Sequence, residues 1–313
     1  MSISNKLSWP KRDFAPWQCV LLRSDKMKNE ILIIGGTGNI GTPLVGLLKE
    51  SAESYKVLVR NDENEAILTK RGIPNVRGAL GDWESVESAL NGVDTVFLLS
   101  SPSPEMPDLH KGLIDHAVSA GVRKIVRLSA EPARESEGLP MYEHHAAMDD
   151  HLMASGLIYV IIRPHYFMQN ILQMHATFIK EQQMFAQYLE DGRIPMVDTR
   201  DVANAAFSGL TSDEYNGKIH YITGPRAISY YDVAEAFTKQ LGKKIQYVSL
   251  SYEDQKAGLE AYGTPPMIVD TVMTLFKRWA DSGERLASQD YEQMTGTKAI
   301  GIDQFAADHA GAF

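Results

Sequence analysis

The chain has 313 residues, 44% hydrophobic and 23% charged, with a formal net charge of -9, enough apolar material for one large core or two smaller ones. The acidic balance argues against direct nucleic-acid or membrane-surface binding, and no apolar run reaches the ~18–20 residues of a membrane span. The only cysteine, Cys19, excludes an intrachain disulfide and a cysteine-based metal cage, which fits a reducing, cytoplasmic compartment.

In chain order, residues 1–26 carry Trp9, Pro10, Pro16, Trp17 and several basic side chains without periodicity. Met27 reads as a natural start, which makes 1–26 an upstream extension outside the core. A basic transit segment is the alternative, weakened by Asp13 and the lack of an apolar stretch. Ile31-Leu32-Ile33-Ile34 then reads as a strand buried on both faces of a parallel sheet. A turn, Gly35-Gly36-Thr37-Gly38-Asn39-Ile40-Gly41, leads into helical spacing at Leu44, Val45, Leu47 and Leu48. The order strand, G-x-x-G-x-x-G, helix is that of a dinucleotide-binding fingerprint. Gly35 permits the tight turn, Gly38 lets backbone approach a pyrophosphate, and Gly41 lets the helix pack on the strand. Thr37, Asn39 and Ile40 complete the loop, and the helix N-terminus offers free N–H groups to phosphate.

The second strand, Tyr55–Val59, ends in Arg60 rather than the acidic residue that holds a ribose 2′-hydroxyl in NAD sites. A guanidinium there suits a 2′-phosphate. NADP is therefore the expected cofactor, with NAD possible because Asp62 and Glu63 follow closely. Asp82, after a third strand near Asn75–Leu80, either meets an adenine amino group or caps the next helix. The fourth strand, Asp94–Leu99, puts Leu99 and Ser100 at the crest of the sheet, where such folds bind their ligands. His110–Ala120 is a helix, Lys124–Leu128 the fifth strand, Met141–Ser155 a helix and Ile158–Ile162 the sixth strand, which ends at Arg163-Pro164. The alternation predicts an α/β fold: a Rossmann-type doubly wound parallel sheet with a smaller, mainly C-terminal α/β substrate-binding region. The dinucleotide-binding domain is expected over residues 27–164, with 193–225 returning to it. Residues 165–192 and 226–313 form the substrate-binding region. Within them His165–Lys180 reads as a helix, Asp201 and Ser229 as helix N-caps, Lys218–Pro225 and Lys244–Leu250 as strands, and Met267–Trp279 as an amphipathic helix.

These motifs resemble the atypical short-chain dehydrogenase/reductases, and more narrowly the NmrA-like family. The resemblance rests on Ile34–Gly41, Val59-Arg60-Asn61, Gly81-Asp82, Leu98–Ser101, and Ile161–Pro164 with Phe167 and Asn170. It covers roughly residues 28–310 and adds Pro164 and Phe167 to the expected cofactor contacts. The family includes NADPH-dependent quinone oxidoreductases, triphenylmethane and azo reductases, and non-catalytic NADP sensors. The chain departs from the conventional dehydrogenase pattern on the helix after the fifth strand. There Tyr142 is followed four residues later by Ala146, not by the lysine that lowers the tyrosine's pKa. Tyr252–Lys256 spells the motif only by chance, far along the chain. The resemblance instead implies His145 near the nicotinamide, with an ordinary pKa suited to proton donation, and Ser129 holding the substrate oxygen; Tyr142 is a further candidate. No metal is expected, since His144 with His151, or His145 with Asp149, offers only two ligands per helix face. The reading is an NADPH-dependent reductase of an apolar, electron-poor acceptor such as a quinone or aromatic dye. Its pocket lies between His165, Tyr166, Phe167 and Met168 and the Met267–Trp279 helix. The alternative is a non-catalytic redox sensor acting through a protein partner. A homodimer is compatible with either.

Overall fold

The computed structural model describes residues 30–131, 139–282 and 286–313; the 1–26 extension lies outside them. The elements are β1 (Glu30–Ile33), α1 (Gly41–Glu50), β2 (Ser54–Val59), α2 (Asp62–Lys70), β3 (Asn75–Arg77), α3 (Trp83–Leu90), β4 (Val93–Leu98) and α4 (Met106–Ser119). They continue with β5 (Lys124–Leu128), α5 (Pro140–Ala154), β6 (Ile158–Pro164), α6 (Gln169–Gln182), β7 (Met184–Gln187), α7 (Thr199–Thr211) and β8 (Lys218–Ile222). The last are α8 (Tyr230–Leu241), β9 (Gln246–Ser249), α9 (Tyr252–Ala261), α10 (Pro266–Ser282), α11 (Asp290–Thr295) and α12 (Ile302–Asp308).

Seven strands form one parallel sheet in the order β3-β2-β1-β4-β5-β6-β8. The order reverses at β1, and a ligand crevice opens at such a switch point above the strand C-termini. Period-2 alternation sorts the side chains. Ile31, Ile33, Val57 and Phe97 pack toward α1 and α7, while Leu32, Leu58, Val96 and Ile125 pack toward α3, α4 and α5. A sheet buried on both faces needs these continuous apolar runs. A third core joins α6, β7, α8, α10 and α12 through residues such as Ile179, Phe185, Phe237, Phe276 and Phe305. β7 and β9 pair in parallel beside it as a separate two-stranded sheet.

The chain after β6 differs from the expected helix over His165–Lys180. His165 N–H donates to Ile222, Met168 N–H to Val197, and Val197 N–H to Tyr166. These bonds hold residues 165–167 along the returning chain, and Met168, already helical at φ -60 and ψ -29, leads into α6 at Gln169. Its close at Gln183, which takes φ 55 without being glycine, leads straight into β7, which the apolar spacing did not announce. α7 is capped by Asp198, whose side chain accepts from Arg200 N–H at 2.8 Å, and not by Asp201. Asp201 lies within the first turn and accepts from Ile300 N–H at 2.7 Å, which ties down the C-terminal segment. Ser229 caps α8 in a reciprocal box with Asp232, as the spacing predicts.

Burial pushes the Asp201 carboxyl up to about 6, against the pull of Ile300 N–H. A carboxyl raised in the folded state favours folding below its ordinary value of 3.8 and loses that contribution as pH rises through about 6. Asp201→Asn cannot ionise and keeps an acceptor for Ile300. Its melting temperature is expected to exceed the parent's by roughly 2–4 °C near neutrality and to lose that advantage near pH 4. Thermal unfolding at the two pH values checks this, and an equal difference at both would contradict it.

Candidate active site

A cleft of about 530 Å3 opens at the switch point, lined by Gly35, Thr37, Gly38, Asn39 and Ile40 of the β1–α1 turn. Arg60 from the end of β2, Leu99 and Ser100 from the end of β4, and Phe167 after β6 complete the set that the sequence placed here. Leu109, Asn64 and Thr199 also line it and were not anticipated.

The glycines divide by what surrounds them. Gly35 has φ +83, and a Cβ there would lie 2.6 Å from the Leu99 carbonyl oxygen. At Gly41 a Cβ would lie 2.1 Å from the Gly35 carbonyl oxygen, so α1 sits against the turn backbone only because residue 41 lacks a side chain. Gly38 is different: a Cβ would meet only the Gly35 carbonyl oxygen, at 3.6 Å. The protein does not need glycine at 38, so the space in front of it is kept for something outside the chain. No side chain caps α1, and its first turn contains no acidic residue. Thr42 N–H already donates to the Gly38 carbonyl at 2.9 Å and Pro43 has no N–H, so what the helix end offers an anion is its partial positive charge and the N–H groups of Ile40 and Gly41. Arg60 is exposed in the cleft wall, and no carboxylate pairs with it among the described residues. Asp62, a possible ribose ligand, is taken by Arg77 at 2.7 Å. A dinucleotide with a 2′-phosphate thus fits the turn, the helix end and Arg60.

Three of the expected contacts do not line this cleft. Gly41 serves packing. Pro164 closes β6. Asp82 caps α3, accepting from Ser85 N–H at 3.4 Å, the structural half of its two expected roles.

Beyond the cleft, a buried polar network stands at the β5, β6 and α5 crest. Arg127 on β5 and Arg163 on β6 share the sheet face that bears α5, and both are essentially inaccessible. Between them lies Asp149 of α5, also inaccessible. Its Oδ1 accepts from Arg127 Nη1, and its Oδ2 accepts from Arg163 Nη2 at 2.7 Å and Nε at 3.2 Å. Ser129 Oγ donates to the same Oδ2 at 2.8 Å. Arg127 Nη2 approaches His145 Nδ1 at 3.1 Å. Nearby, His110 of α4 is buried and its Nε2 lies 2.8 Å from Ser100 Oγ. Burial, with Arg127 second, lowers the His110 pKa to about 3, so the ring stays neutral.

These contacts revise the expected catalytic roles. The one proton of Ser129 points inward at Asp149, so Ser129 can offer a substrate oxygen no donor. Tyr142 is buried in the third core, and burial pushes its hydroxyl pKa well above the usual tyrosine range; it does not exchange protons near neutrality. Burial, with the Arg127 charge behind it, holds His145 well below the ordinary histidine value, so it is not an imidazolium donor. Tyr252 instead meets the Tyr188 ring edge-on at 5.7 Å, and Lys256 faces Glu260 on the surface. The metal reading meets two guanidiniums at Asp149 and one at His145, and no group of three or more candidate ligands gathers among the described residues. The sequence reading missed His110 and gave no role to Arg127. The available signal was a charged residue inside an otherwise apolar strand, Ile125-Val126-Arg127-Leu128.

On the substrate side, α10 packs onto the segment after β6. The Tyr166 ring meets Phe276 at 5.4 Å and Trp279 at 5.7 Å, both edge-on, and His165 stacks on Trp279 at 5.1 Å. Met168 is buried, and Phe167 faces the dinucleotide cleft, not this wall.

The sheet order, the turn and the cleft define a dinucleotide-binding protein of the doubly wound class. The family model "NmrA-like family" matches residues 27–299, and the chain belongs to that family. The NAD(P)H azoreductase of Xenophilus azovorans is 31% identical over 291 residues, spanning 90% of this chain and 99% of the relative. The structure of an NADPH-dependent quinone oxidoreductase from Escherichia coli, complexed with NADPH, superposes with a TM-score of 0.80. It is 27% identical and covers 89% of this chain and 99% of its own. Triphenylmethane reductase of Citrobacter sp. shares the fold with a TM-score of 0.78 at 20% identity, covering 90% of this chain and 99% of its own.

Gly38→Ala is expected to keep the parent's melting temperature and to lose at least about tenfold in NADPH affinity. Gly41→Ala is expected to destabilise the fold by several degrees, since its Cβ collides with backbone. Calorimetry and NADPH titration separate the two, and equal behaviour would remove the distinction between packing and ligand glycine. Arg60→Ala is expected to weaken NADPH by roughly 10- to 100-fold, the worth of a charge-assisted hydrogen bond, and NADH hardly at all. Equal losses for both would remove the 2′-phosphate contact.

Proposed function

We propose that the chain is an NADPH-dependent reductase whose acceptor is an apolar, electron-poor small molecule such as a quinone or an aromatic dye. The observation that carries this reading is the cleft itself. It has a glycine with no structural need to be one, an uncapped helix end and a free arginine, all opening toward a crest that has no Tyr/Lys pair. The azoreductase and quinone oxidoreductase relatives support it.

NADPH, when bound, supplies a hydride, that is, two electrons and one proton. The residues of the chain do the rest. The β1–α1 turn and the α1 N-terminus hold the pyrophosphate, and Arg60 holds the 2′-phosphate. Leu99, Ser100 and Phe167 flank the far end of the cleft. The half-buried Tyr166 ring, backed by the buried Phe276 and Trp279, offers the face against which a flat acceptor can stack. Burial makes Tyr142 hold its proton, Ser129 directs its own to Asp149, and burial keeps His110 and His145 neutral. The site thus suits an acceptor whose reduced form is a stabilised anion or neutral dye, with any further proton taken from water. A simple ketone, whose alkoxide needs an acid, is a poor fit.

Purified protein should oxidise NADPH in the presence of a quinone, an azo dye or a triphenylmethane dye, and more slowly with NADH. It should leave simple aliphatic ketones untouched. Absorbance of the reduced cofactor follows the reaction. Tight NADPH binding without turnover of any acceptor would overturn the reductase reading in favour of a sensor.

A further inference from the structure

Arg127 is the unusual member of the crest. It is inaccessible, it shares Asp149 with a second buried guanidinium, and its remaining Nη2 faces Nδ1 of His145 at 3.1 Å. A guanidinium has donors and no acceptor, and it does not lose its charge in proteins. The ring nitrogen facing it must therefore accept. In a neutral imidazole that leaves the hydrogen on the other nitrogen, Nε2.

We propose that Arg127, anchored by Asp149, is a positioning residue that fixes His145 as the neutral Nε2–H tautomer, so that His145 serves the reduction as a hydrogen-bond donor and not as an acid. The donor's partner is a carbonyl-type oxygen of the acceptor or the nicotinamide carboxamide. This destination rests on the reductase reading; the tautomer does not.

The surroundings agree. The ionisable groups around His145 are Arg127 on β5, Arg163 on β6, His110 on α4, and His144 and Asp149 on its own helix. The two guanidiniums outnumber the one carboxylate, and a positive ring beside them is disfavoured. Burial is the largest cause of the lowered pKa, and Arg127 follows. Half-buried in the second turn of α5, His145 is placed as a neutral electrophile, here by burial and the Arg127 charge. Asp149 keeps Arg163 as a partner if Arg127 is lost, so removing Arg127 does not strand a buried carboxylate.

The test is nitrogen NMR of histidine in the full chain, without cofactor or acceptor. His145, assigned through His145→Gln, is expected to show a protonated Nε2 and a bare Nδ1 throughout about pH 5.5 to 8.5, the span in which ordinary histidines titrate. Titration of His145 in that span, or a protonated Nδ1, would overturn the proposal. In Arg127→Met, which removes the donor but keeps side-chain volume, His145 is expected to titrate again or to show both tautomers. An unchanged His145 spectrum there would show that Arg127 is not the determinant. If Arg127→Met fails to fold, the spectrum of the unaltered chain still decides. In turnover, His145→Ala should lose about 100-fold in kcat, the cost of one removed donor. His145→Gln, whose amide reaches about where Nε2 stands, should stay within about tenfold of the parent, with kcat level across the same pH span; equal losses for Ala and Gln would contradict a donor role. Absence of turnover with the expected spectrum would sink the reductase reading and leave the tautomer standing.

Discussion

A single buried carboxylate, Asp149, ties three elements together at the C-terminal crest of the sheet. Two inaccessible guanidiniums, Arg127 on β5 and Arg163 on β6, reach it from neighbouring strands, and Ser129 donates to it from the end of β5. Breaking such a pair is costly because it leaves an uncompensated charge in the interior, typically about 3–5 kcal/mol. Arg163 extends the network to the Tyr221 hydroxyl on β8 at 3.2 Å. The orientation of α5 against the sheet, and with it the place of His145 and Tyr142, follows from where that carboxylate must sit. The chemistry left to the crest follows too. Ser129 is spent inward, His145 has one nitrogen engaged, and the local charge is positive.

The second constraint is steric. α1 lies against the turn after β1 because Gly41 has no side chain to collide with Gly35. That contact brings the helix N-terminus to the cleft without a protein cap. Close packing and anion binding are therefore one feature: the glycine that admits the helix also brings the helix's positive end to a phosphate. Gly38 adds the complementary case of space that the chain leaves unused.

Much of this was legible in the sequence, for identifiable reasons. β1 is a short apolar run bounded by a glycine turn, as a strand buried on both faces of a parallel sheet requires. Residues from the turn, from Arg60 and from Leu99-Ser100 were legible as cleft lining because strand ends and glycine spacing are local signals, whereas Phe167 came only through the family resemblance. The catalytic side was not, because its determinants are contacts between residues far apart in the chain. Nothing in Met141–His151 says that His145 will face Arg127, eighteen positions earlier in sequence, so its pKa could not be read from residue type. Residues 165–167 carry helical spacing, but backbone bonds with Val197 and Ile222 hold them to the returning chain and out of α6. β7 was missed because a left-handed Gln183, not a glycine, ends α6. Asp198 and Asp201 are both plausible caps by composition, and only the backbone path decides between them.

The central claim is that reducing equivalents pass directly from the cofactor to an acceptor seated at this crest. The most direct measurement uses NADPH deuterated at one or the other face of C4, in single turnover with a triphenylmethane dye whose reduced central carbon does not exchange with water. The account predicts deuterium at that carbon from one of the two labelled forms only, since a fixed cleft presents one face. Deuterium lost to solvent from both forms, or delivered equally from both, would contradict it.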